Sequence, residues 1–158
     1  MTVNEVMQQE FEAIRDELIS AYDAKGMRSS GEWADALEVK VSESGNRVKG
    51  AILGLPYSQQ LETGRAPGKQ PPSKAIEKWI YEKGISASIE GKISISSLAY
   101  LIARKIAREG WKREQYGGVE LISEVITPQR IQAIIDKVSD IYISRVSTEL
   151  VTFLKQAA

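Results

Sequence analysis

The sequence predicts an α+β fold, a small antiparallel sheet flanked by an N-terminal helix, two middle helices and a long C-terminal helix. Three observations carry this. Apolar residues recur every three or four positions near both ends of the chain. They alternate with polar residues in two short runs on either side of Gly45, and glycine and proline punctuate the stretches between. At 158 residues, 42% of them apolar, the chain has the length of one domain, able to bury roughly 70% of the surface that its unfolded form exposes.

The first element is an amphipathic helix over residues 1–25. Val3, Val6, Met7, Phe11, Ile14, Leu18, Ala21 and Tyr22 make its apolar stripe, and Gly26 stops it. Glu5, Glu10, Glu12, Asp16, Glu17 and Asp23 leave the other side acidic. A hairpin over residues 36–53 follows. Leu37, Val39 and Val41 alternate with Glu38 and Lys40, and Val48, Gly50 and Ile52 alternate with Lys49, Ala51 and Leu53. Ser44, Gly45 and Asn46 supply the turn. Two strands alone are marginal in water, so the ribbon needs a helix against it or strands from another chain.

Residues 54–72 hold four of the five prolines and three glycines in nineteen positions. The segment reads as a long loop with at most one helical turn around Tyr57 to Glu62, and loops longer than about 12–15 residues in compact domains usually serve a function. A helix begins after Pro71 and Pro72 with Ser73 as its cap, buries Ile76, Trp79 and Ile80, and ends at Gly84. Residues 85–93 read as a connection. The second middle helix is capped by Ser94, Ser96 or Ser97, turns Leu98, Leu101, Ile102 and Ile106 inward, and closes at Gly110; Trp111 to Gly118 reads as a polar, glycine-ended loop.

Residues 119–126 are a candidate third strand. The last helix, 127–156, has Thr127 as cap and Pro128 in its first turn, with Ile131, Ile134, Ile135, Val138, Ile141, Tyr142, Val146, Leu150 and Leu154 along one face. Ile143, Val151 and Phe153 widen that face. Close to thirty residues make a helix of roughly 40 Å, longer than one small core needs, so part of it is expected to pack on something else.

Composition removes whole classes of chemistry. The chain has neither cysteine nor histidine, which rules out the usual zinc sites, a Ser-His-Asp triad, a thiol nucleophile and an imidazole proton shuttle. Any chemistry would fall to carboxylates, Lys, Tyr or Ser, and no metal or cofactor is expected. The acidic start lacks the basic-then-apolar pattern of a signal peptide, and no run approaches the ~20 apolar residues of a membrane span. The expectation is a soluble chain that begins in the cytoplasm.

Net charge is zero but sorted: residues 1–62 carry eleven acids and six bases, whereas residues 63–118 carry eleven bases and five acids. Such asymmetry suits a nucleic-acid face, or a subunit whose one side fits the other side of its neighbour. A basic region over 65–113, interleaved with Tyr100, Trp111 and Tyr116, makes a DNA-binding module the alternative function; Glu77, Glu82, Glu109 and Glu114 interrupt it. Gly64 to Lys69 resembles a phosphate-binding loop only superficially. Gln70 stands where a magnesium-binding Ser or Thr belongs, and Pro71 and Pro72 have no amide to offer phosphate. Glu62 has no second acid obviously paired with it for hydrolase chemistry, and is expected to meet Arg65 or to cap loop amides.

One longer pattern goes further. Tyr57-Ser-Gln-Gln-Leu61-Glu62-Thr-Gly64-Arg65, then Pro67-Gly68-Lys69, Pro71-Pro72, Ile76, Trp79, Ile80 and Lys83-Gly84-Ile85, resembles the tail-completion or head-tail joining family of tailed bacteriophages. Leu98-Ala-Tyr-Leu-Ile102-Ala-Arg-Lys105-Ile106 with Glu109-Gly110 is similar to that family's glycine-ended helix, so the matches span 57–110, about a third of the chain. After Gly110 the family often has Thr and a compact aromatic run, where this chain has Trp111 and Lys112 to Gly118.

The resemblance implies a virion structural protein without catalytic activity, located in the neck or upper tail and in the host cytoplasm during assembly. It implies a homo-oligomeric ring that contacts other neck, portal-adaptor and tail proteins. DNA would pass nearby without sequence-specific binding, and no membrane is involved. The interface residues on this reading are Tyr57, Leu61, Glu62, Gly64, Arg65, Pro67, Lys69, Pro71, Pro72 and Trp79. Proline stiffness in the loop would lower the entropy lost on docking.

Overall fold

A computed structural model describes residues 1–89, 91–111 and 120–157. The fold is α+β, mostly helical, with one two-stranded antiparallel sheet among the described residues. The contacts divide the chain into two compact units, one of Met1–Ser20, Leu37–Gly54 and Ile122–Ala158, the other of Ala21–Ala36 and Leu55–Leu121.

The first unit is built on α1 (Val3–Ala24) as far as Ser20, the hairpin β1 (Glu38–Ser44) and β2 (Arg47–Leu53), and the terminal helix described below. Gly45 adopts φ 59°, the left-handed value that a two-residue hairpin turn requires at its first central position. The register pairs Val39 with Ile52 and Val41 with Gly50, which puts these residues and Val48 on one face of the ribbon. Phe11 of α1 lies under that face: a Cβ on Gly50 would sit 2.6 Å from the ring. The helix that the ribbon needs against it is therefore α1. Ala36 and Leu37 precede the strands instead of belonging to them.

In the second unit a short helix α2 (Glu32–Asp35), which periodicity does not announce, buries Trp33 and Ala34. The proline-rich segment contains α3 (Ser58–Thr63), in line with the single turn foreseen there. The helix after the prolines is α4 (Ser73–Glu82). Pro72, not Ser73, occupies its cap position and no side chain caps it, because Ser73 is already the first helical residue. The 85–93 connection contains a one-turn helix, α5 (Ile85–Ser88). Helix α6 (Ile95–Glu109) is capped by Ser94, whose hydroxyl accepts from the Ser97 N–H at 3.1 Å.

Two expectations about buried faces fail. Trp79 is 38% exposed, since α4 buries Ile80 completely and turns its neighbours outward. Leu101 is 51% exposed, because α6 is buried along Ala99 and Ala103, small residues that allow α4 to pack close. The candidate strand at 119–126 is also corrected: Leu121–Val125 is a helix, α7, with Leu121 fully buried. Residue 119 and the polar loop at 112–118 lie outside the described residues.

Helix α8 (Pro128–Ala157) spans thirty residues in the first unit. The Thr127 hydroxyl accepts from the Arg130 N–H at 3.1 Å, satisfying one of the amides that a helix start leaves unpaired. Ion pairs tie α8 to α1. Arg130 lies 2.9 Å from Glu17 and 3.8 Å from Glu10, and Lys137 also meets Glu10. Going up α1 from residue 10 to 17 corresponds to going down α8 from 137 to 130, so the two helices are antiparallel.

Candidate functional site

The site is the proline-rich segment, and its shape is set by contacts inside the second unit. Its start is held by Trp33. That ring is 3% exposed, stacks at 34° on Tyr22 with centroids 4.6 Å apart, and donates its Nε1–H to the Ser58 hydroxyl at 3.0 Å. The same hydroxyl donates to the Leu55 carbonyl at 2.6 Å, closing the turn into α3. Burial against Trp33 raises the Tyr22 phenol above its ordinary range, and burial followed by the charge of Glu32 raises Tyr57.

Beyond α3 the chain is clamped to the end of α6. The Gly64 N–H donates to the Gln60 carbonyl at 2.8 Å and terminates α3. Arg65 and Trp111 then exchange two backbone hydrogen bonds, 2.8 and 2.7 Å long, in an isolated antiparallel bridge. The Gly68 N–H donates to the Ala107 carbonyl at 2.9 Å. The Arg65 guanidinium donates through Nη2 to the Lys69 carbonyl at 2.5 Å, closing a small ring of chain around Pro67. Gly110 permits this approach. A Cβ there would stand 2.2 Å from the Arg65 carbonyl oxygen, and its φ of 74° is one that L side chains rarely adopt.

The ten residues expected at the interface divide accordingly. Gly64 is buried; Leu61, Glu62, Arg65 and Pro71 are half-buried and shape the segment; Tyr57, Pro67, Lys69, Pro72 and Trp79 face solvent. The clamp brings Gly64, Arg65, Pro67 and Lys69 together with Ala107, Gly110 and Trp111. Arg65 finds the Lys69 carbonyl, and Glu62 contributes its own carbonyl, which accepts from the Glu120 N–H at 2.8 Å. Sequence reasoning missed the clamping roles of Ala107, Gly110 and Trp111. A glycine at a helix end signals a stop, and nothing local says which distant carbonyl will cross it.

Two lysines of the basic region meet acids of their own helices. Lys78 and Lys105 stand 3.7 and 3.9 Å from Glu82 and Glu109, one helical turn on, and Lys83 donates to the Gly26 carbonyl at 2.6 Å. Shallow depressions occur elsewhere, along Asp140 to Glu149 beside Met1 and along Ser86 to Ile95, and neither includes Glu62. Among the described residues no three acids gather as a metal site, and no helix is long and apolar enough to cross a membrane. No protein-family model matches the chain, and no curated protein or solved structure does either.

Proposed function

We propose that this chain is a structural subunit of a ring in the neck or upper tail of a tailed bacteriophage, where copies join or complete the head-tail connection. The observation that carries the reading is the proline-rich segment. It is pinned by Trp33 at one end and by Gly110 and Trp111 at the other, and it turns Tyr57, Pro67, Lys69 and Pro72 outward. A segment ordered before it meets a partner loses little entropy on docking, and exposed aromatic and proline side chains supply apolar contact. The order of motifs from Tyr57 to Gly110 supports the same reading.

A ring needs two unlike surfaces on each subunit, one docking on the other in the next copy. The acidic first helix and the basic middle of the chain provide unlike charge for that purpose. The DNA-binding alternative gains less, because Lys78, Lys83 and Lys105 are engaged by acids or a carbonyl.

Arg65→Ala tests the proposal. It removes the bond to the Lys69 carbonyl and leaves the Arg65–Trp111 backbone bridge, so the chain stays folded while the loop loosens. The expected result is roughly tenfold less incorporation into particles, the equivalent of about 1.4 kcal/mol, with an unchanged circular dichroism spectrum. Normal incorporation would overturn it. So would binding of the wild-type chain to DNA of any sequence with an affinity that falls steeply as salt rises.

A further inference from the structure

We propose that α8 pairs with α8 of a second copy of this chain, through an apolar stripe that the fold leaves uncovered. The helix has two apolar faces. Ile134, Val138 and Ile141 share the side of Arg130 and Lys137, which is turned to α1, and Ile134 is buried there. At 100° per residue, Ile131, Ile135, Val146, Leu150 and Phe153 fall about a third of a turn away. These five are 47–66% exposed, as are Ile143 and Leu154 beside them.

The reason is geometric. With Glu10 level with Lys137 and Glu17 with Arg130, the first residue of α1, Val3, comes level with Ser144. From Arg145 onward α8 runs past the start of α1, an overhang of about 20 Å at 1.5 Å per residue. Ile143, just before the overhang, and Val146, Leu150 and Phe153 on it are spaced by three, four and three residues, the seam of a two-helix coiled coil.

Area, charge and pattern select the occupant. The seven exposed residues present roughly 800 Å² of accessible surface, about one partner's share of a standard interface and more than the ~300–600 Å² largest patch of a typical monomer. A helix that lies on lipid needs a polar face rich in Lys and Arg. Here Arg145 is paired with Glu149 at 3.0 Å, so that among the described residues from Ile143 to Ala157 only Lys155 is a cation without an ion pair. The whole chain carries no net charge to hold copies apart. Another copy brings the same seam. Pairing of like faces is isologous, a different contact from the head-to-tail docking of a ring, so the inference stands apart from the phage reading.

Sedimentation equilibrium of the full chain from about 1 to 100 μM tests it, alongside Leu150→Glu on the seam and Thr148→Glu on the opposite, exposed side of the same turn. The wild type and Thr148→Glu are expected to associate as dimers or multiples of dimers. Leu150→Glu should raise the dissociation constant at least about tenfold, with circular dichroism confirming that both variants retain their helix. A wild type that stays monomeric across the range would overturn the proposal, as would association indifferent to Leu150→Glu. Binding of the monomer to phosphatidylglycerol vesicles that Leu150→Glu abolishes would assign the stripe to lipid and overturn it equally.

Discussion

Two tryptophans of this chain share a residue type and differ in environment. Trp33 is 3% exposed, packed on Tyr22 and hydrogen-bonded to Ser58, whereas Trp79 stands on the outer side of α4. Trp33→Ala is expected to cost about 3–5 kcal/mol, as truncation of a buried aromatic does, and Trp79→Ala no more than about 1 kcal/mol; urea unfolding curves of the two variants measure this. Tyr22 makes the same cluster sensitive to alkali. Burial favours the protonated phenol, so its pKa in the folded chain lies above the ordinary 10.0. The stability that depends on it is intact below pH 10 and is lost as pH rises through that value and beyond. Thermal melts between pH 9 and 11 should show the midpoint falling, and falling less in Tyr22→Phe. Neither tryptophan's position is legible from its neighbours in sequence. Trp79 falls within the apolar spacing of its helix, Ile76-Trp79-Ile80, and is nevertheless exposed, because full burial of Ile80 sets the helix's rotation.

At the scale of elements, the hairpin and the long helix follow from local rules. Alternation about Gly45 specifies two strands with a glycine turn, and Thr127 with Pro128 specifies where α8 begins. The proline-rich segment is different. Its prolines make it stiff, but its path is decided by the end of α6, through the Arg65–Trp111 bridge and the Gly68–Ala107 bond. Gly110→Ala is expected to break that clamp, since the added methyl would need the space of the Arg65 carbonyl at a φ of 74°. That backbone conformation, with ψ at −164°, is essentially confined to glycine and alone costs another residue about 1–3 kcal/mol, and displacement of the loop adds to it. Hydrogen exchange should report faster exchange of the Arg65, Gly68 and Trp111 amides in this variant while α6 stays protected over its first turns; unchanged exchange would show that the clamp does not depend on Gly110.

For the whole molecule, the charge sorting and the overhang of α8 matter most. None of the described residues from Val146 onward is buried, so deleting the chain from Val146 is expected to shift the thermal midpoint by no more than about 4 °C, what 1 kcal/mol produces in a chain of this size. Differential scanning calorimetry at a concentration where the chain is monomeric measures this, and a larger loss would mean that the overhang supports its own fold. By itself the sequence determined the close of α6 at Gly110 and the start of α8 at Thr127 and Pro128, the hairpin with its turn, the absence of histidine and cysteine chemistry, and an excess of apolar surface on the last helix. Caps, glycines and periodicity act over a few residues, so they can be read locally. Only the tertiary structure decided that 121–125 is a helix, that Trp33 is inside and Trp79 outside, that Arg65 meets Trp111, and that α1 stops short of the apolar end of α8. Those outcomes depend on what comes opposite a residue across tens of positions of chain, and burial is a property of both sides of a contact.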